Sequence, residues 1–164
     1  MTNGKWLIGC EESGRVRDAL RAVGVDAWSC DLLPCTENPS KYHIQDDLLK
    51  VIKSEKWEAI IAFPPCTHLA ISGAKYFEEK RKSGVQQEAI KFVESIWDAD
   101  CPYIAIENPV GILSTQSKLG KATQYIQPYW FSERTRKKTG LWLKGFPKLV
   151  PTDMVDISKV SEKE

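Results

Sequence analysis

The chain has 164 residues, 42% of them hydrophobic and 27% charged, with a net charge of +1. That length suits one domain with a substantial core, and near-neutrality lacks the basic excess of a strong non-specific nucleic-acid binder without excluding nucleic acid as a partner. No apolar run is long enough to cross a bilayer, the first residues carry no secretory pattern, and five cysteines without disulfide-framework spacing predict a reduced, cytoplasmic protein whose cysteines are thiols.

In chain order, residues 5–9 read as a short apolar strand. A helix over 15–23 follows, with Val16, Ala19, Leu20 and Val23 at helical spacing and Gly24 as its stop. Residues 25–30 form a second strand closing on Asp31, and 42–44 a weaker third closing on Asp46 and Asp47. A short helix over 48–54 leads to a fourth strand, 57–63, apolar on both faces as a buried parallel strand is. From 85 to 97, Val85, Ala89, Ile90, Phe92, Val93, Ile96 and Trp97 recur with helical period, and 103–106 is a fifth strand. Short strands over 125–131 and 141–143 predict an antiparallel edge.

Strands alternating with helices predict an α/β fold: an open, doubly wound, mostly parallel sheet with an antiparallel C-terminal edge. Residues 1–150 read as its single domain, and 151–164 as a loosely packed tail. In such sheets ligands bind beyond the carboxyl ends of the strands. Here those ends carry Gly9-Cys10-Glu11-Glu12, Asp31, Asp46-Asp47, Pro64-Pro65-Cys66 and Glu107-Asn108.

Cys66 follows two prolines that fix φ and remove two backbone donors, stiffening the approach to the thiol. A lone cysteine is more often buried structure than nucleophile. Glu107 alters the balance, because a carboxylate closing a buried apolar strand is costly without a partner or a task. If the two strands are parallel neighbours, thiol and carboxylate face one crevice. Asp31 stands where doubly wound folds bind a ribose diol, and Asp47 is suited to an adenine amino group, although either residue also serves as a turn or helix cap. The loop 9–14 lacks the glycine fingerprint of NAD or FAD sites. Cys30, Cys35 and His43 have irregular spacing and no fourth partner, so no metal is expected. The run Arg134-Thr135-Arg136-Lys137-Lys138 suits either phosphates, with Trp130, Phe131 and Trp142 nearby for stacking, or a solvated hairpin turn. Residues 75–82, mixed in sign, read as a solvated loop.

These residues together resemble the S-adenosylmethionine-dependent C5-cytosine DNA methyltransferases, most closely the small members of phages and mobile elements. Pro64-Pro65-Cys66 is similar to their Pro-Cys nucleophile motif, Ser72-Gly73 to the loop after it, and Ile106-Glu107-Asn108 to their Glu-Asn motif. The resemblance covers about residues 5–145. It implies a Rossmann-like methyltransferase fold, with Cys66, Glu107 and Asn108 catalytic. Gly9, Cys10, Glu11, Asp31, Leu32, Asp47 and Pro64 would surround S-adenosylmethionine, and Ser72, Arg136 and Lys138 would meet the substrate or its phosphates.

The chain departs from the family in Thr67, where glutamine is usual, and in the acidic Glu11-Glu12. It is also too short for the family's target-recognition domain. The implied substrate is therefore DNA, single-stranded nucleic acid or a free pyrimidine nucleotide, with a partner protein as one source of target recognition. The rival reading is a catalytically idle protein that holds a nucleotide or a partner, for example a phage counter-defence factor.

Overall fold

In the computed structural model, which describes residues 3–67, 69 and 84–162, the apolar runs become strands of one seven-stranded sheet. β1 (Lys5–Gly9), β2 (Asp26–Asp31), β3 (His43–Gln45), β4 (Ala59–Ala62) and β5 (Tyr103–Pro109) pair in parallel. β6 (Gln124–Ile126), β7 (Thr135–Arg136) and β8 (Thr139–Lys144) follow in the chain; β8 runs against β5 and β6 against β8. The strand order is β3-β2-β1-β4-β5-β8-β6. The mostly parallel Rossmann-like sheet and its antiparallel C-terminal edge are thus both present. Ser72 and the loop expected over 75–82 lie outside the described residues.

Alternation along the strands divides the core between two faces. Leu7, Ile60, Ile104 and Ile106 pack on one side with α2 (Leu48–Ser54) and α3 (Val85–Trp97), chiefly through Leu48, Val51, Ile90, Val93 and Ile96. Trp6, Ile8 and Ala59 face the other side, where α1 (Arg15–Ala22) contributes Val16 and Leu20. Each aliphatic side chain buried this way contributes roughly 1.5–3 kcal/mol, which holds a sheet covered on both faces together.

The helix ends have local causes. Asp47 accepts the Leu49 N–H at 2.8 Å and so caps α2. Gly14 precedes α1 with φ of 73°, and any side chain there would collide with the Arg17 guanidinium. Arg17 itself is 0% exposed. Its guanidinium donates to Asp18 Oδ1 (2.9 Å), Ser29 Oγ (2.9 Å), Cys35 Sγ (3.7 Å) and the Asn38 carbonyl (2.8 Å), which is why this buried charge is tolerated.

Two sequence expectations differ from the structure. β5 continues past Ile106, because Glu107, Asn108 and Pro109 pair with Leu141, Gly140 and Thr139 of β8. The strand expected over 125–131 stops at Ile126 and gives way to a 3₁₀ turn, Pro128–Trp130; a proline supplies no N–H for a ladder. The tail beyond residue 150 is mostly exposed, yet backbone hydrogen bonds tie its described length to the domain. Thr152 and Asp153 donate to the Trp130 carbonyl and Val155 to that of Tyr129, and β9 (Ser161–Glu162) pairs in parallel with β7. Among the described residues no helix is long and apolar enough to cross a membrane.

Candidate active site

The strand order reverses between β1 and β4, and the carboxyl ends on either side of that point frame a pocket of about 430 Å³. Cys10 and Cys30 line it from the ends of β1 and β2. Four carboxylates share it, Asp31, Asp46, Asp47 and Glu88, the last from the first turn of α3. Leu32, Leu48, Pro65 and Phe92 supply apolar wall, and no Lys or Arg lines it among the described residues.

The acidic surroundings act on the thiols. Burial, reinforced by the charge of Asp31, pushes Cys10 up to about 12 and Cys30 up to about 11. Both are therefore neutral at physiological pH. Asp46 is held below the usual carboxylate range by the Asp47 N–H and by Lys50, with which it forms a 3.2 Å ion pair.

Cys10, Asp31, Leu32 and Asp47 are thus gathered around one cavity, whereas three other residues expected there are placed differently. Gly9 lies beneath α2, where an added methyl would sit 2.6 Å from Leu48 Cδ2, so its smallness lets helix and strand approach. Pro64 is buried behind the pocket, and Pro65 lines it instead. Glu11, 6% exposed, turns its carboxylate onto the start of α1, accepting the N–H groups of Val16 (2.5 Å) and Arg17 (3.3 Å). Burial pushes this carboxyl upward and those two bonds oppose the shift. The first helical turn lacks intrahelical partners for its N–H groups, and Glu11 answers that need.

Beside the pocket, β4 and β5 are hydrogen-bonded parallel neighbours with Ala62 opposite Ile106. Pro64-Pro65-Cys66 and Glu107-Asn108 consequently leave or close adjacent strands at the same edge. Asn108 couples them: its Nδ2 donates to the Pro64 carbonyl at 3.0 Å. Asn108 is 1% exposed, and its Oδ1 has no hydrogen-bond partner among the described residues. Cys66 is half-buried, and its carbonyl accepts the Leu69 N–H at 2.9 Å. Burial raises the Glu107 carboxyl above the usual range, with the Lys137 ammonium opposing.

The basic run is an extended chain through β7 into β8, not a hairpin turn. Arg136 Nη2 donates to the Ile157 carbonyl at 3.1 Å, and the Lys138 ammonium sits 4.7 Å from the centre of the Tyr125 ring. Lys137, not Arg136 or Lys138, is the cation whose field reaches Glu107. Nothing in the sequence sets Lys137 apart within the run 134–138, and a helical pattern assigns Glu88 and Phe92 to α3 without revealing that its first half roofs a cavity. Cys30, Cys35 and His43 are directed apart. Cys30 Sγ donates to the Asp46 carbonyl, Cys35 Sγ to that of Asn38, and the His43 ring nitrogens lie 2.8 Å from Ser29 Oγ and 3.0 Å from the Leu33 carbonyl.

The arrangement of strands is shared with solved methyltransferases. The Dnmt2 methyltransferase of S. pombe matches with a TM-score of 0.55 at 15% identity, covering 90% of this chain and 52% of that one. The methyltransferase EhMeth of Entamoeba histolytica matches at 0.58 and 14% identity, covering 96% and 59%. A putative DNA modification methyltransferase encoded within an E. coli prophage matches at 0.50 and 13%, covering 85% and 45%. The chain has the Rossmann-like methyltransferase fold, and it spans about half the length of these structures. No protein-family model matches the sequence, and no curated protein matches it.

Proposed function

We propose that this chain is a C5-pyrimidine methyltransferase that uses S-adenosylmethionine and a covalent Cys66 adduct, acting on DNA or another cytosine-bearing nucleotide. One observation carries the reading: Cys66 and Glu107 stand at the carboxyl edge of adjacent parallel strands, tied by the bond from Asn108 to the Pro64 carbonyl. The solved neighbours, all methyltransferases by description, support the same class.

The pocket's chemistry fits the cofactor. Asp31 and Asp47 suit ribose hydroxyls and an adenine amino group, Leu32 and Phe92 suit the faces of a purine, and four carboxylates in a lining with no Lys or Arg favour a cationic ligand over a phosphorylated one. When bound, S-adenosylmethionine supplies an electrophilic methyl group. The chain's own residues prepare the acceptor. Cys66 Sγ bonds to C6 of the pyrimidine while the Glu107 carboxyl, whose protonated form burial favours, donates to N3, so electron density shifts to C5. After C5 is methylated it gives up its proton, the C6–S bond breaks and the thiolate leaves. Asn108 holds the Pro64 carbonyl and thereby fixes the distance between the two strand ends.

Two measurements test this reading. Titration calorimetry is expected to detect S-adenosylmethionine binding that Asp31→Ala weakens at least tenfold. Incubation with 5-fluorocytosine-containing oligonucleotide and cofactor is expected to give a denaturation-resistant adduct in the wild type and none in Cys66→Ala. Cofactor binding without any adduct on DNA, RNA or nucleotide would rule out nucleophilic catalysis by Cys66.

A further inference from the structure

Of the four carboxylates at the pocket, one has a cation of its own. Asp46 pairs with Lys50 at 3.2 Å, whereas Asp31, Asp47 and Glu88 enter no ion pair among the described residues. Asp31 and Asp47 each accept one backbone N–H, from Leu33 at 2.9 Å and from Leu49 at 2.8 Å. Glu88 lies on one face of α3 with Val85, Ala89 and Phe92, which stand at helical spacing and give the pocket an apolar wall. It is the single polar side chain that α3 adds to the lining, and it is exposed. In the first helical turn a carboxylate also answers the helix dipole, a role that needs no pocket.

Three unpaired carboxylates put a negative potential across the whole cavity. A sphere of 430 Å³ has a radius of about 5 Å, so a ligand cation inside lies on the order of 8 Å from each of them. Even at the dielectric constant of water, one unit charge at that distance changes a cation's affinity about twofold, and three together about tenfold. Cys10 registers this field. After burial, the charges of Asp31 and Asp47 are among the causes that push its thiol up to about 12. In S-adenosylmethionine the amino-acid charges cancel and the sulfonium remains. When the methyl group leaves, the sulfur keeps the electron pair of the broken bond and becomes a neutral thioether. Adenine, ribose and the amino-acid end are identical before and after, so hydrogen bonds to them do not separate cofactor from product. The charge on sulfur does.

Resting on the methyltransferase reading above, we infer that the pocket selects its ligand by charge, retaining the sulfonium cofactor and releasing the neutral thioether product, with Glu88 a specificity-determining residue. Product inhibition at this site is therefore weak, because methyl transfer removes the charge by which the ligand is held.

Titration calorimetry with three ligands tests this without requiring turnover: S-adenosylmethionine, S-adenosylhomocysteine, and sinefungin, which carries a protonated amine in place of the sulfonium. At low salt the wild type is expected to bind both cations at least tenfold more tightly than the thioether. Raising the salt from about 0.02 M to about 0.2 M should narrow that ratio at least twofold, as the screening length falls from roughly 20 Å to roughly 7 Å. Glu88→Gln should weaken both cations at least twofold and leave the thioether within about 1.5-fold of its wild-type affinity. Glu55→Gln removes the same charge just past the C-terminal end of α2, whereas the pocket lies at its N-terminal end, and should change none of the three affinities. A thioether bound as tightly as the cofactor, sinefungin that behaves like the thioether, a ratio indifferent to salt, or a Glu88→Gln variant with an unchanged ratio overturns the inference. Equal binding of all three ligands sinks this inference alone, and binding of none sinks the methyltransferase reading on which it rests.

Discussion

Two thiols of the pocket are silenced by their surroundings. Cys10 and Cys30 lie within the same pocket region, yet burial beside carboxylates keeps them protonated; at pH 8 a thiol titrating near 12 is ionised to roughly one part in 10⁴. Iodoacetamide labelling of the native protein at pH 8, mapped by mass spectrometry, should therefore leave both unmodified, with labelling on unfolding. Glu107 carries a thermodynamic signature. Its folded-state carboxyl is raised, so the native state holds the proton more tightly than the unfolded chain. Its stabilising contribution is complete below the unfolded value near 4.3 and is lost as pH rises through the raised one. Glu107→Gln should accordingly raise the melting temperature at pH 8, on the order of 2 °C, and leave it nearly unchanged at pH 4, while abolishing adduct formation. Asn108→Ala strands the Pro64 carbonyl in a buried setting and should cost about 1–3 kcal/mol in urea unfolding, with adduct formation falling further than stability alone explains.

The elements were mostly legible because apolar periodicity is a local signal. α2 and α3 occupy the residues their spacing predicts, and the strand ending at Gly9 does too. The end of β5 was not legible. Glu107-Asn108-Pro109 has no strand pattern of its own and is extended only because β8, some thirty residues later, pairs with it. The fate of Glu11 was hidden for a similar reason. A carboxylate two residues past a strand looks like ligand chemistry until α1 starts close enough to take it as a cap. The same turn makes a sharp demand on Gly14, whose positive φ and contact with Arg17 admit no side chain. Gly14→Ala should destabilise the protein by about 2–4 kcal/mol in chemical denaturation, with hydrogen exchange in α1 accelerating first.

Over the whole molecule, the sequence disclosed that polar groups gather at one edge of the sheet but not how they are sorted along it. Asp31 and Asp47 came with Glu88 from a helix whose pattern signals only burial, and Lys137 emerged from a basic run in which any of several residues was equally eligible. Glu11 has a consequence for competition inside a cell. ATP and NAD carry the same adenosine moiety as the proposed methyl donor, and the start of α1 is where their phosphates would find bare N–H groups. The chain answers with an anion of its own, covalently attached and buried, so that these abundant nucleotides meet a filled seat and like charge. Wild-type protein should bind ATP at least 100-fold more weakly than S-adenosylmethionine in calorimetry, and Glu11→Gln should narrow that gap; equal affinities in the wild type would refute the idea. Ligand choice would then rest in part on a carboxylate outside the cavity, acting through what it keeps out.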